Sequence, residues 1–171
     1  MSVPRQHDRI FLVGFMGCGK SSVGQHLARA TGFRFVDLDR ECERAAGMSV
    51  EAIFAGQGEV EFRRLEAIAL KRSMEWSRVV VATGGGTLTR RENRDLILSH
   101  GTMVWLDAPL DVMLARCRRG ERRPLLGDRG SMAALLARRM MDYRCADLRI
   151  PAEDGTPVEL AARIASRLAG M

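Results

Sequence analysis

Apolar runs and amphipathic stretches alternate from one end of the chain to the other. Short, nearly unbroken apolar runs stand at 9–14 (RIFLVG), 33–37 (FRFVD), 78–83 (RVVVAT), 102–107 (TMVWLD) and 148–150 (LRI), and each predicts a strand. Between them, apolar residues recur at helical spacing near 19–31, 39–46, 49–74, 90–99, 109–118, 131–146 and 157–169. Strands that are apolar throughout and separated by helices predict a five-stranded parallel sheet covered on both faces. The fold class is α/β.

Two intervals break the simple alternation. Residues 38–77 hold two helical patterns instead of one, enough chain for a small subdomain beside the sheet. Residues 118–131 (RRGERRPLLGDRGS) are basic, contain glycine and show no period, which predicts a mobile excursion. Both intervals are candidates for substrate contact. No repeat or low-complexity linker divides the chain, so residues 1–171 are expected to form a single domain.

With 171 residues, 46% of them apolar, the chain can bury one sizeable core. No apolar stretch approaches the ~18–20 residues of a membrane span, and the opening MSVPRQHDR lacks a long apolar signal region. The expectation is a soluble cytoplasmic protein. Cys18, Cys42, Cys117 and Cys145 are too scattered for paired zinc ligands and too few for a disulfide framework, so reduced thiols are expected. The net charge of +6 would suit nucleic acid, and it suits anionic substrates such as ATP equally well. All but two of the 27 basic residues are arginine, the exceptions being Lys20 and Lys71. No arginine therefore carries weight except by its position.

Directly after the first predicted strand, Gly14 to Ser21 read GFMGCGKS, which matches G-x-x-x-x-G-K-[ST] between a strand and a helix. Gly14, Gly17 and Gly19 let backbone N–H groups converge on phosphate oxygens, and the next helix turns its positive end toward them. In this pattern Lys20 reaches the β- and γ-phosphates, and the Ser21 hydroxyl ligates Mg²⁺. Cys18, among the same donors, reads as a small filler.

The second strand ends in FVDLD, with Asp37 and Asp39 two residues apart. Side chains at that spacing on an extended chain share a side. A Mg²⁺ ion beside such a loop draws on a carboxylate from a neighbouring strand end, which suits Asp37. Asp39 then lies nearer an incoming second substrate; the alternative is that an aspartate here caps the helix that follows. Asp107, at the end of the fourth strand, is expected to start a helix together with Pro109.

The segments GFMGCGKSSVG, FVDLDRE, FRRLE (62–66), GGG (84–86), RRPLL (122–126) and RRMMDYRCAD (138–147) resemble, in order and over nearly the whole chain, those of the shikimate kinase family. That resemblance implies a nucleoside-monophosphate-kinase-like P-loop fold of three layers, with an acceptor-binding subdomain at about 38–77 and a lid at about 118–131. It implies transfer of the ATP γ-phosphoryl group to the 3-hydroxyl of shikimate, in the pathway to chorismate and the aromatic amino acids, with one Mg²⁺ per ATP. The family resemblance assigns Asp37 to the metal and Asp39 to the acceptor hydroxyls. It assigns Arg63 and Arg139 to the shikimate carboxylate, Gly85 and Gly86 to the ring, and Phe54 and Phe62 to the pocket wall. Arg123 matches the lid arginine that reaches the transferred phosphoryl group, Arg116 the one near adenine, and Pro157 the loop on the adenine's other side. With Gly17, Cys18, Gly19, Lys20, Ser21 and Ser22, these complete the expected ATP site. Lys20, Asp39 and Arg123 are the expected catalytic residues.

The chemistry of these residue types agrees. A carboxylated acceptor calls for planar bidentate donors, which arginine provides and lysine does not. Phosphoryl transfer depends on positioning and charge neutralisation more than on covalent chemistry. Arg64, Arg138 and Arg144 are expected at the surface. Two departures stand out: Ser22 where the family usually has threonine, and MMDY where many members carry proline and leucine before the tyrosine. The second puts the local helix break in question. The expected partners are ATP and shikimate, with no nucleic acid, no membrane and a monomeric state. A gluconate or nucleotide kinase is the nearest rival, and a non-catalytic ligand-binding module a more distant one.

Overall fold

Strand β1 (Arg9–Val13) is buried at every position after Arg9, and β3 (Val79–Ala82) is buried throughout. A computed structural model describes residues 8–119 and 128–171 of the chain. Its sheet has five strands in the order β2-β3-β1-β4-β5, where β2 is Arg34–Asp37, β4 Thr102–Asp107 and β5 Leu148–Pro151. Every pairing is parallel. The three inner strands are apolar except at their ends, at Arg9, Thr102 and Asp107, as expected where helices cover both faces. The edge strands β2 and β5 carry exposed arginines at Arg34 and Arg149, which blunt an edge that could otherwise pair with another chain.

The helices are α1 (Lys20–Thr31), α2 (Leu38–Ala46), α3 (Val50–Ser73), α4 (Arg91–His100), α5 (Leu110–Arg119), α6 (Arg129–Tyr143) and α7 (Pro157–Ala169), with a 3₁₀ turn at Thr87–Thr89. Their ends follow local chemistry. Gly32 and Gly47 close α1 and α2 in the left-handed conformation. Ser49 caps α3, and Thr156 forms a capping box with Glu159 ahead of α7.

Two boundaries differ from the sequence expectation. Helix α6 spans 129–143 instead of 131–146 because Asp128 accepts from the Ser131 amide and caps it early. The helix then runs unbroken to Tyr143, so methionine in place of the family's proline leaves no break there. Asp107 does not start a helix. It accepts from Arg149 Nε at 2.8 Å on the neighbouring strand, and α5 begins at Leu110.

Strand order reverses about β1, whose neighbours β3 and β4 lead away to opposite edges. A crevice opens outside the carboxyl ends of the strands at such a switch point. The loops leaving β1, β2 and β3 all emerge there. Helices α2 and α3 pack on each other within the interval 38–77. Most of the segment expected as a lid, 118–131, lies outside the described residues. Among the described residues, no helix is long and apolar enough to cross a membrane.

Candidate active site

Between β1 and α1 the chain turns through three glycines with positive φ, Gly14 (140°), Gly17 (76°) and Gly19 (101°). A Cβ at Gly14 would lie 2.6 Å from the Leu106 carbonyl oxygen, and one at Gly17 2.5 Å from that of Met113. Both conformation and packing therefore demand glycine. Lys20 is buried, and its ammonium group donates to the Gly14 and Phe15 carbonyls at 2.7 and 3.0 Å, which draws the loop around a positive charge. The N-cap of α1 is Gly19, which has no side chain to cap with, so the first N–H groups of the helix face the loop ready for an anion. Cys18 is fully buried beneath the loop, its sulfur facing the Lys20 ammonium at 3.6 Å, as expected of a filler. Ser22 is exposed on α1.

On another flank, Arg116 of α5 bridges the Cys18 and Ala152 carbonyls, each at 3.4 Å. It thus links the phosphate loop to the segment that leads into α7, whose first residue is Pro157. Arg123 lies outside the described residues.

Asp37 ends β2 and caps α2, its Oδ1 accepting from the Asp39 amide at 3.1 Å. The two aspartates therefore do not project side by side from a strand, because Asp39 already belongs to the helix. They reach the same cavity all the same. Ser21 Oγ donates to Asp37 Oδ2 at 2.5 Å. A hydroxyl and a carboxylate in contact are the hard oxygen donors that suit Mg²⁺, which takes one or two protein oxygens and completes its shell from phosphate and water.

That cavity has a volume of about 550 Å³. Ser21, Asp37, Asp39, Phe54, Phe62, Arg63, Gly85, Gly86 and Arg139 all line it, together with Arg40, Glu43 and Glu51, for which the sequence suggested no role. Phe54 and Phe62 stack at a tilt of 40°, centroids 4.7 Å apart, and give one wall an apolar surface. The rest of the lining carries both signs of charge, with Asp37, Asp39, Glu43 and Glu51 facing Arg40, Arg63 and Arg139.

The two buried arginines differ in how their charge is balanced. Burial alone would lower the pKa of Arg63, but Glu66 and Glu59 overturn that effect and hold it above the ordinary arginine value. Arg63 Nη1 donates to Glu66 at 2.9 Å, and its Nε and Nη2 donate to Glu59 at 3.3 and 3.2 Å. Arg139 has no such cage. Burial pulls its pKa down, with Tyr143 opposing, and its Nε is buried without a hydrogen-bond partner among the described residues. A desolvated guanidinium with an unmet donor at a cavity wall is a ready receptor for a carboxylate.

The triple glycine after β3 has a second physical reason. A Cβ at Gly84 would sit 2.3 Å from Glu66 Oε1, and one at Gly86 2.4 Å from Arg63 Nη2. These positions admit the Arg63–Glu66 pair against the main chain. Gly85 is less crowded, with Met16 N at 3.2 Å, and its carbonyl accepts from the Tyr143 hydroxyl at 2.6 Å. Glu66 and Tyr143 are thus structural members of the site that carried no assigned role in the sequence. Glu66 stands three residues beyond Arg63 on a helix, a spacing that could have revealed the pair. Arg64, Arg138 and Arg144 are exposed, as expected.

A family model described as shikimate kinase matches residues 16–169. The chain is 41% identical over 160 residues to shikimate kinase from Persephonella marina, a match covering 93% of this chain and 98% of that one. Among solved structures, shikimate kinase from Acinetobacter baumannii in complex with shikimate superposes with a TM-score of 0.92 at 36% identity, over 97% of this chain and 95% of that one. A gluconokinase from Sinorhizobium meliloti, 20% identical with a TM-score of 0.61 over 97% and 98% of the two chains, shares the fold alone. The fold is the nucleoside-monophosphate-kinase-like P-loop architecture.

Proposed function

The chain belongs to the shikimate kinase family, and from that premise we infer that it transfers the γ-phosphoryl group of ATP to the 3-hydroxyl of shikimate. The products are shikimate 3-phosphate and ADP, in the route to the aromatic amino acids. The acceptor oxygen forms the new bond to the γ-phosphorus, the bond to the β–γ bridging oxygen breaks, and the hydroxyl proton leaves.

Each role follows from chemistry at a named atom. The glycine loop and the open N-terminus of α1 receive the phosphates, and the Lys20 ammonium offsets their charge. Ser21 and Asp37 are the oxygen donors for one Mg²⁺, which when bound neutralises charge on the β- and γ-phosphates. The Asp39 carboxylate orients the acceptor hydroxyl and takes its proton. Arg139, and Arg63 beside it, hold the shikimate carboxylate, with Gly85 and Gly86 facing the ring and Phe54 and Phe62 behind it. Arg123 is proposed to reach the transferred phosphoryl group, and Gly17, Cys18, Gly19, Ser22, Arg116 and Pro157 to border the nucleotide. We also propose a single domain with an acceptor-binding unit at about 38–77 and a lid at about 118–131. It would act as a monomer in the cytoplasm, without nucleic acid or membrane partners.

The observation that carries the acceptor assignment is a single cavity that joins the Ser21–Asp37 pair to Asp39 and to an arginine with an unmet donor. A coupled ADP-release assay against shikimate, gluconate and nucleoside monophosphates tests it. ADP release that depends on shikimate is expected. Turnover of gluconate or a nucleotide in preference, or of none, would overturn the reading.

A further inference from the structure

Arg94 and Asp142 have no role in the chemistry above. Arg94 lies on α4 and Asp142 one residue before the end of α6. Arg94 Nη1 donates to Asp142 Oδ1 at 2.6 Å, and the two side chains are only 27% and 22% exposed. Among the described residues no other ion pair joins these two helices. Partial shielding and a short charge-assisted bond set this contact apart from a solvated surface pair.

The two helices hold the Gly84–Gly86 turn from both sides. Helix α4 follows that turn through the 3₁₀ segment, where Asn93 donates its amide to the Thr87 carbonyl at 3.0 Å. From α6, the Tyr143 hydroxyl donates to the Gly85 carbonyl at 2.6 Å. The contacts close a ring that runs from Gly85 through Thr87, Asn93, Arg94, Asp142 and Tyr143 back to Gly85. Arg94–Asp142 is the charged link in that ring. Arg139 stands four residues before Tyr143, on the same face of the helix, so the seating of the last turns of α6 also sets the Arg139 guanidinium.

We propose that Arg94 and Asp142 are a positioning pair for the acceptor site. By clamping the end of α6 to α4, they keep Arg139 at the separation from the Gly85 main chain that a carboxylated ring needs. The inference rests on reading Arg139 as the carboxylate receptor. Its effect falls on acceptor affinity, because the phosphate loop and Asp39 are carried by other elements, β1–α1 and α2.

Steady-state kinetics of the full chain test it. Asp142→Asn and Arg94→Gln should each raise KM for shikimate about three- to tenfold, with KM for ATP unchanged and kcat within about twofold. The double neutral variant should be no worse than either single one, since one interaction is being removed. Asp142→Glu, and the exchange of Arg94→Asp with Asp142→Arg, should recover most of the loss. A merely structural pair would lower thermal stability without splitting the two KM values. Unmoved shikimate KM in both single variants, or equal shifts in both KM values, would overturn the pair's role while the functional reading stood. A wild-type chain without shikimate turnover would overturn both. Should Asp142→Asn fold poorly, Arg94→Gln and Asp142→Glu decide by the same criteria.

Discussion

Arg63 donates to Glu66 at 2.9 Å across one turn of α3, and Glu66 has no exposed surface. Glu66 also accepts from Thr87 Oγ1 at 2.6 Å, so one buried carboxylate ties α3 to the turn that leaves β3. Its work is to hold a cation in place, which makes the site's cationic wall part of the fold's own stability.

Glu66→Ala should therefore behave as a stability mutation first. It removes the buried partner of Arg63, leaving only the half-exposed Glu59, and takes one of the two acceptors of Thr87 Oγ1, leaving the Gly84 carbonyl. Removing one partner of a buried pair costs about 3 kcal/mol. Urea unfolding should show a lower midpoint with an unchanged slope, and shikimate KM should rise as Arg63 turns toward Glu59.

Arg139→Ala should do the reverse. Burial already disfavours this cation, and its Nε has no partner among the described residues. Truncation should leave unfolding stability unchanged or slightly raised. The loss should appear in acceptor binding, where a charge-assisted contact is worth about 2–3 kcal/mol, or roughly 30- to 150-fold in shikimate KM. ATP KM should not move. Paired denaturation and kinetic measurements on the two variants would show the opposite signatures.

The elements were legible because each inner strand is an apolar run broken only at its ends and each helix repeats its apolar face, and neither signal needs tertiary information. Other features depended on register and contact. The pairing of Asp107 with Arg149 exists only because β4 and β5 lie side by side, so local sequence pointed to a helix start instead. The 3₁₀ turn at Thr87–Thr89 is too short to show any period. Gly84 and Gly86 look like open backbone for a ligand, whereas the side chains of Glu66 and Arg63 fill the space their own would take. The phosphate loop was readable because its demands fall on consecutive residues. The acceptor wall, drawn from four separate elements, was readable only through family resemblance.

Cys42 gives a prediction on the alkaline side. Burial, then Glu66, Asp39 and Glu41, push its thiol up to about 12 from an ordinary 9.0, with Arg63 opposing. The folded chain keeps a proton there that the unfolded chain gives up. The stabilisation is thus fully present below about pH 9 and is lost as pH rises toward 12. Between pH 8 and 10 the wild type should lose about 1 kcal/mol that Cys42→Ala does not. Urea midpoints at several pH values would show the difference as a change in slope against pH, whatever the baseline cost of the substitution. In the native state Cys42 should also resist alkylation at pH 8.

Gly58 sits inside α3 at φ 82° and ψ 172°, where the helix breaks into two pieces. Phe54 lies on the first piece and Phe62 on the second, so the break sets the angle at which their rings meet behind the cavity. A methyl group at Gly58 would meet nothing within 4 Å, so Gly58→Ala carries no clash, only the backbone cost of a region that L side chains rarely adopt, about 1–3 kcal/mol. The chain can escape that cost by resuming the helix, which swings Phe54 away from Phe62 and opens the acceptor wall. The expected result is a lower unfolding midpoint together with a raised shikimate KM and an unchanged ATP KM. Gly56→Ala supplies the control, since that site is equally open but its backbone is helical. It should gain about 1 kcal/mol from helix propensity. If both alanines behave alike, the break at Gly58 is not what shapes the pocket.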